Sequence, residues 1–212
     1  MTVANNPFED SSQADKAREW PLGRKFNPKE IYGDDIDLDI VECPRNGWVF
    51  VACEHGEVCP HCHNLPAHTD CVVIAVDDAC RHNGTSRAEA AIGIYSGKDS
   101  SYNRSIPLNI DQPTNQVAEL TAGLFSLKTA MVIAESSLPP AEDGEKQKLC
   151  MVVIKSDSEY LVKGMTEWIL KWKENGYRNV KGRSVVNSAL FQELEEAYQE
   201  LVGRGIYMFR GN

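Results

Sequence analysis

The stretch Val72 to Gly84, VVIAVDDACRHNG, restricts the fold more than any other part of the chain: five apolar residues run into two adjacent acids and then a polar turn ending in Asn-Gly. Such a run reads as a buried strand entering a tight loop. A carboxylate at the end of a buried strand is costly unless something pairs with it, so Asp77 asks for a cation or a catalytic role.

Two acids downstream are candidates to join it. Glu119 lies in TNQVAEL (114–120), near the start of a predicted helix, and Asp157 closes a second apolar run, MVVIKSD (151–157). If the two strands are neighbours, the three acids converge. Three oxygen ligands on a rigid frame suit Mg²⁺ or Mn²⁺, and paired ions of this kind activate water and stabilise the leaving oxygen in phosphodiester hydrolysis. With 31 acids in 212 residues, spacing alone is a weak signal, and solvated acids at strand ends and a helix start are the commoner origin of such a triple.

The chain has room for one medium domain and a small attachment. No apolar run approaches the ~18 residues of a membrane span, and the N-terminus is acidic, so neither span nor signal peptide is expected and the protein is expected in cytosol or nucleus. A net charge of −9 argues against indiscriminate nucleic-acid binding, but the charge is uneven. Residues 1–42 carry ten acids against five bases, whereas residues 163–183 carry six bases (Lys163, Lys171, Lys173, Arg178, Lys181, Arg183) against two acids. Trp168 and Trp172, four apart and interleaved with those bases, fit either core packing or a nucleic-acid surface.

Residues 1–42 read as a loose acidic arm, docked late if at all by Ile36, Leu38 and Ile40. Residues 43–71 hold five of the seven cysteines and four of the five histidines. Cys59-Pro60-His61-Cys62 has the spacing with which two thiolates grip one tetrahedral Zn²⁺. Cys53 and His68 are the first choices to complete a structural zinc site, with Cys71, His55 and Cys43 as alternatives. A zinc enzyme would need an open ligand position with an adjacent base, and none is evident. From residue 72 onward, strands are predicted over 90–95, 106–110, 151–154 and 206–209. Helices are predicted from Thr114 with a buried stripe at Leu120, Leu124, Leu127 and Met131, from Glu159, and over 188–202. The first three strands should pair as antiparallel hairpins, and the 151–154 strand should lie parallel to the first.

Three motifs in order carry a family likeness. DDACRHNG (77–84) resembles the D-G-x-C-x-x-N-G opening of type 1 ribonuclease H, TNQVAE (114–119) resembles its T-N-Q-R-A-E helix start, and SDSEYLVKG (156–164) resembles its D-S-x-Y-V-x-x-G segment. The likeness runs on through Trp168, Trp172, Asn175, Gly176, Tyr177, Lys181, Val185 and Asn187, and the cysteine-rich lead-in is similar to that of fungal members. It implies a ribonuclease H-like α/β fold, a five-stranded mixed sheet flanked by helices on both faces over residues 72–212, with the small Cys/His-rich zinc segment before it. It also implies cleavage of the RNA strand of RNA/DNA hybrids, with Asp77, Glu119 and Asp157 binding Mg²⁺. By the same resemblance, Asn83, Gly84, Asn115 and Gln116 would read 2′-hydroxyls. Thr114 and Asn187 would hold a DNA phosphate, and Trp168 and Trp172 would support the DNA strand.

Departures from the pattern qualify this. Asp78 replaces the usual Gly and Val117 the usual Arg, both making the site more negative. The sequence ends at Asn212, short of the family's His-bearing loop and fourth metal-binding Asp, which implies a loosely held ion and reduced activity. The competing expectation is a weakened or inactive relative that binds hybrid or double-stranded nucleic acid, or a protein partner.

Overall fold

The computed structural model describes residues 24–136, 138–140, 147–204 and 209–211. Its frame is β3 (Ala67–Arg81), 15 residues long. The strand does not stop at the acids, as the apolar run suggests, because β4 (Glu89–Tyr95) pairs antiparallel with it from Ala75 to Arg81. The same edge of β3 is covered earlier by β2 (Trp48–Ala52), which pairs with Ala67, His68 and Val72. These two partners meet where the Val49 N–H donates to the Ser96 carbonyl at 3.0 Å. On the opposite edge β6 (Met151–Ser156) runs parallel to Cys71–Val76. β1 (Glu42–Arg45), β5 (Arg104–Leu108) and β7 (Phe209–Gly211) extend the sheet beside β2, β4 and β6.

Among the described residues the sheet therefore has seven strands, not five. The additional pair, β1 and β2, comes from the region expected to be a separate Cys/His-rich segment. Its turn is Asn46-Gly47, with φ of 53° and 80°, a pairing that favours two-residue hairpins. Of the expected last strand, residues 206–208 lie outside the described residues, and β7 starts at Phe209.

Alternation on β3 sorts the core. Val72, Ile74 and Val76, with Ile92, Ile94, Val152 and Ile154, face α2 (Asn115–Glu135) and α5 (Ser188–Gly203). Cys71 and Val73, with Met151, Val153 and the β2 residues Val49 and Val51, form the other face, which packs against Phe26 and Val41. Thr114 caps α2 as expected, its Oγ1 accepting the Val117 N–H at 3.2 Å. Leu120, Leu124 and Leu127 are buried, but so are Ala118, Ala122, Ala130 and Ile133, because sheet and α5 close on α2 from different sides. This two-sided burial explains why α2 is long and apolar enough to cross a membrane by composition while 56% of its most apolar window is buried in the protein.

The helix from Glu159 is α3 (Glu159–Lys163), one π turn (Gly164–Trp168) and α4 (Ile169–Asn175). Gly164 lets α5 approach the backbone, since a Cβ there would lie 2.3 Å from the Phe191 ring. Helices on both faces are expected, but α2 to α5 pack against one face. Among the described residues the other is covered by the segment 24–41 with its short α1 (Pro28–Tyr32). Of the expected loose arm, residues 1–23 lie outside the described residues, and the rest is docked. Phe26 and Val41 anchor it rather than Leu38, which is 43% exposed.

Candidate active site

Parallel pairing sets Val76 beside Ser156, so Asp77 and Asp157, the next residue on each segment, stand at neighbouring positions of the sheet. Glu119 reaches them from the second turn of α2. Its Oε2 accepts the Ser158 hydroxyl at 2.7 Å and its Oε1 accepts Asn115 Nδ2 at 2.6 Å. Ser158 also caps α3 by accepting the Leu161 N–H at 3.1 Å, so one hydroxyl fixes both the helix after Asp157 and the Glu119 carboxylate. The Asp77 carboxylate accepts the Asp78 N–H at 2.8 Å.

Asp78 reports the electrostatics of the whole group. Burial, followed by the charges of Glu119, Asp77 and Asp157, pushes its carboxyl up to about 6. Among the described residues no Lys, Arg or His forms an ion pair with any of these four acids. Their oxygens do not form a ready-made metal cage: among the described residues only Cys53, Glu54 and His68 offer three ligand atoms within 4.8 Å of one another. Unneutralised carboxylates repel, and both Glu119 oxygens are held by neutral donors, which accounts for the looser spacing.

The surface beside the acids is organised by amides. Asn83 Oδ1 accepts the Asn115 N–H at 3.2 Å, tying the β3–β4 turn to the head of α2. Gly84 follows at φ +74°, a conformation that glycine adopts without penalty. Asn83, Gly84, Asn115 and Gln116 are exposed, and Thr114 is half-buried. Tyr160 links this region to the aromatic residues. Burial raises its phenol, the Asn187 amide at 3.5 Å pulls it back in part, and the Glu119 charge raises it further. The sequence reading does not single out Tyr160; its signal is its place two residues after Ser158 in the third motif.

Trp168 and Trp172 are both half-buried, with ring centroids 5.7 Å apart. Trp168 meets Tyr160 at 6.0 Å and Trp172 meets Phe191 at 4.9 Å, so packing and a solvent-facing edge coexist. After α4 the chain forms a tight basic turn. Arg178 bridges to Ser184, and Asn179 Oδ1 accepts the N–H groups of Lys181 and Arg183 at 2.9 and 3.2 Å. Arg178, Lys181 and Arg183 are exposed there, whereas Lys163 and Lys173 are paired with Glu159 and Glu195.

The residues expected to bind zinc fall into two groups near the other end of β3. Cys53 and His68 come together with Glu54, which sequence reasoning missed. Cys59 and Cys62 form a compact turn, in which hydrogen bonds from the backbone of Cys62 and His61 and from the Cys62 side chain lower the Cys59 thiol. Of the alternatives, Cys71 is fully buried and donates to Asp70 Oδ1 at 3.3 Å, Cys43 is buried and donates to the Leu65 carbonyl at 3.4 Å, and His55 is largely exposed.

The profile of the RNase H family matches residues 69–203. Over 128 residues the chain is 34% identical to Ribonuclease H1 of Rattus norvegicus, covering 60% of this chain and 40% of that protein. Ribonuclease H1 of Homo sapiens is 32% identical over 130 residues, 61% of this chain and 40% of the relative. Ribonuclease H of Pelobacter propionicus is 34% identical over 128 residues, 60% and 66%. The match thus spans about two fifths of the length of the mammalian relatives. Among solved structures, that of the PFV RNase H domain aligns with a TM-score of 0.46 at 22% identity, over 66% of this chain and 77% of that one.

Proposed function

The chain belongs to the RNase H family, and from that premise we propose that it is a metal-dependent endonuclease that hydrolyses the RNA strand of RNA/DNA hybrids, with Asp77, Glu119 and Asp157 as the ligands of Mg²⁺ or Mn²⁺. One observation supports the reading: acids from two adjacent parallel strands and from the helix between them lie near enough for all three charges to act on Asp78, and among the described residues none has a basic partner. Burial first, and then the charges of Glu119, Asp77 and Asp157, raise the Asp78 carboxyl, so the negative field of the three acids is felt at a fourth. An all-oxygen donor set fits a hard divalent ion better than a soft one.

Ions of this class, when bound, polarise the scissile phosphate and supply hydroxide at neutral pH. The protein's own groups position and select. Asn115 and Ser158 orient the Glu119 carboxylate, one oxygen each. Asn83, Gly84, Asn115 and Gln116 face solvent beside the acids, where a 2′-hydroxyl can both donate and accept. Thr114 and Asn187 would take a DNA phosphate, and the exposed edges of Trp168 and Trp172 with the 178–183 turn would carry the DNA strand. Contacts of this kind read sugar and backbone, so no sequence preference is expected.

Asp78 favours a second reading, binding without hydrolysis, because a fourth acid beside the three crowds an incoming phosphate. Incubation of a labelled hybrid with Mg²⁺ or Mn²⁺ separates the two. The expected result is cleavage of the RNA strand, lost in Asp157→Asn while hybrid binding persists. Binding without cleavage by the unaltered chain supports the second reading, and absence of both refutes each.

A further inference from the structure

The loop between β2 and β3 is ordered without a core of its own. From Cys53 to Asp70 no residue is buried, Val58 is 48% exposed, and residues 53–66 contain neither helix nor strand. An irregular segment of this length ordinarily needs a covalent or metal staple to hold one conformation. Its ends are already brought together: Val51 pairs with His68 and Ala52 with Ala67, and the Cys53 N–H donates to the Pro66 carbonyl at 2.7 Å. This register sets Cys53 and His68 side by side, where with Glu54 they form the close group of ligand atoms.

The Glu54 carboxylate lies 2.7 Å from His68 Nε2. That is a hydrogen-bond distance, shorter than the separation of two donors sharing a tetrahedral ion, so the carboxylate suits the role of fixing the imidazole while the ring's other nitrogen meets a metal. At the tip of the loop the Cys59 N–H donates to the Asn64 carbonyl at 2.9 Å and the His63 N–H to the Cys59 carbonyl at 2.8 Å, with His63 at φ +56°. Cys43 of β1 donates to the Leu65 carbonyl at 3.4 Å, which ties the returning end of the loop to the hairpin.

We propose that this loop is a structural Zn²⁺ site in which Cys53, Cys59, Cys62 and His68 are the four ligands and Glu54 holds the His68 ring in place. Three thiolates and one imidazole close the coordination shell, which suits a staple rather than a catalyst. The site is independent of the carboxylates at the far end of β3.

The test uses the full chain, dialysed against a weak chelator and analysed for metal. About one Zn²⁺ per chain is expected to remain, and Co²⁺ substitution should give a tetrahedral spectrum whose charge-transfer intensity counts three thiolates. Cys59→Ser and Cys62→Ser alter loop positions that are not buried, so circular dichroism should show the fold intact while zinc is lost. Glu54→Gln should retain zinc with about 10–100-fold weaker affinity, and Asp157→Asn should retain it in full, which separates this site from the nuclease proposal. Absence of zinc from the unaltered chain, undiminished zinc in both serine variants, or loss in Glu54→Gln as complete as in the serine variants would each overturn the assignment.

Discussion

Glu195 and the acids along β3, α2 and β6 show two treatments of carboxylates in one molecule. Glu195 is only 6% exposed in α5, and its oxygens accept from Arg24 at 2.8 Å, Lys173 at 2.6 Å and Gln199 at 2.9 Å. Burial alone would raise this carboxyl, but the Arg24 and Lys173 hydrogen bonds overcome the burial and hold it below the ordinary range. Arg24 comes from 171 residues away and also lies over the Tyr198 ring, 4.3 Å from its centroid. Asp77, Asp78, Glu119 and Asp157 are more accessible, yet among the described residues the donors to Asp77 and Glu119 are neutral, and at Asp78 burial and repulsion act in the same direction. Where neutralising an acid serves the fold, the chain supplies bases from distant segments. At the sheet edge, among the described residues, it supplies none, which is the contrast the proposed cation site rests on.

The comparison breaks most visibly if the two acid sites respond alike to substitution. Asp157→Asn should lower single-turnover hybrid cleavage by about 10³-fold or more, since metal-held charge stabilisation contributes several kcal/mol and each ~1.4 kcal/mol is tenfold. Its thermal midpoint in EDTA should hold or rise, because one member of a repelling group is gone. A variant that loses stability along with activity would mean that Asp157 is a structural acid like Glu195.

Arg24→Met should do the reverse. Removing one partner of a buried pair costs roughly 3 kcal/mol, with Lys173 and Gln199 limiting the damage. Urea unfolding reads this directly, and cleavage by the folded fraction should be unchanged. The pH dependence has a definite sign. A carboxyl depressed in the folded state stabilises above its unfolded value and loses that contribution as pH falls through the folded one, so the acid limb of the stability profile should flatten in Arg24→Met.

Local pattern and long-range pairing differ in how legible they are. Apolar runs marked β3, β4 and β6, the Thr114 cap and leucine spacing marked α2, and the three motifs carried Asp77, Glu119 and Asp157. The β1–β2 hairpin is equally local, since Asn46-Gly47 precedes WVFVA, but the cysteine and histidine clustering around it is also the pattern of a metal-binding segment. The Arg24–Glu195 pair leaves no local trace, because neither residue's surroundings indicate a partner so far along the chain. The docking of Phe26 and Val41 was hidden for the same reason: a polar, proline-containing segment becomes ordered only because β3 and β6 leave a second apolar face to cover. Glu54 was missed because an acid among cysteines has no spacing signature, and only the β2–β3 register brings it to His68.

The finest test concerns Asp78, whose titration should have the opposite sign from that of Glu195. The folded carboxyl titrates near 6 and the unfolded one near 3.8, so between these values the native state binds more protons than the unfolded chain. Stability in EDTA should therefore fall as pH rises across that window and stay lower above it. The full shift corresponds to ~3 kcal/mol, and solvent screening at a half-exposed site leaves about 1 kcal/mol. Asp78→Asn removes the titration, so its urea midpoint should exceed that of the unaltered chain at pH 8 and match it at pH 4. A bound divalent cation reverses the balance, because the charge that destabilises the empty site then contributes to holding the ion. The stability gap between the two proteins at pH 8 should accordingly narrow as Mg²⁺ is added, and a gap indifferent to Mg²⁺ would mean that Asp78 senses only burial and not the acids around it.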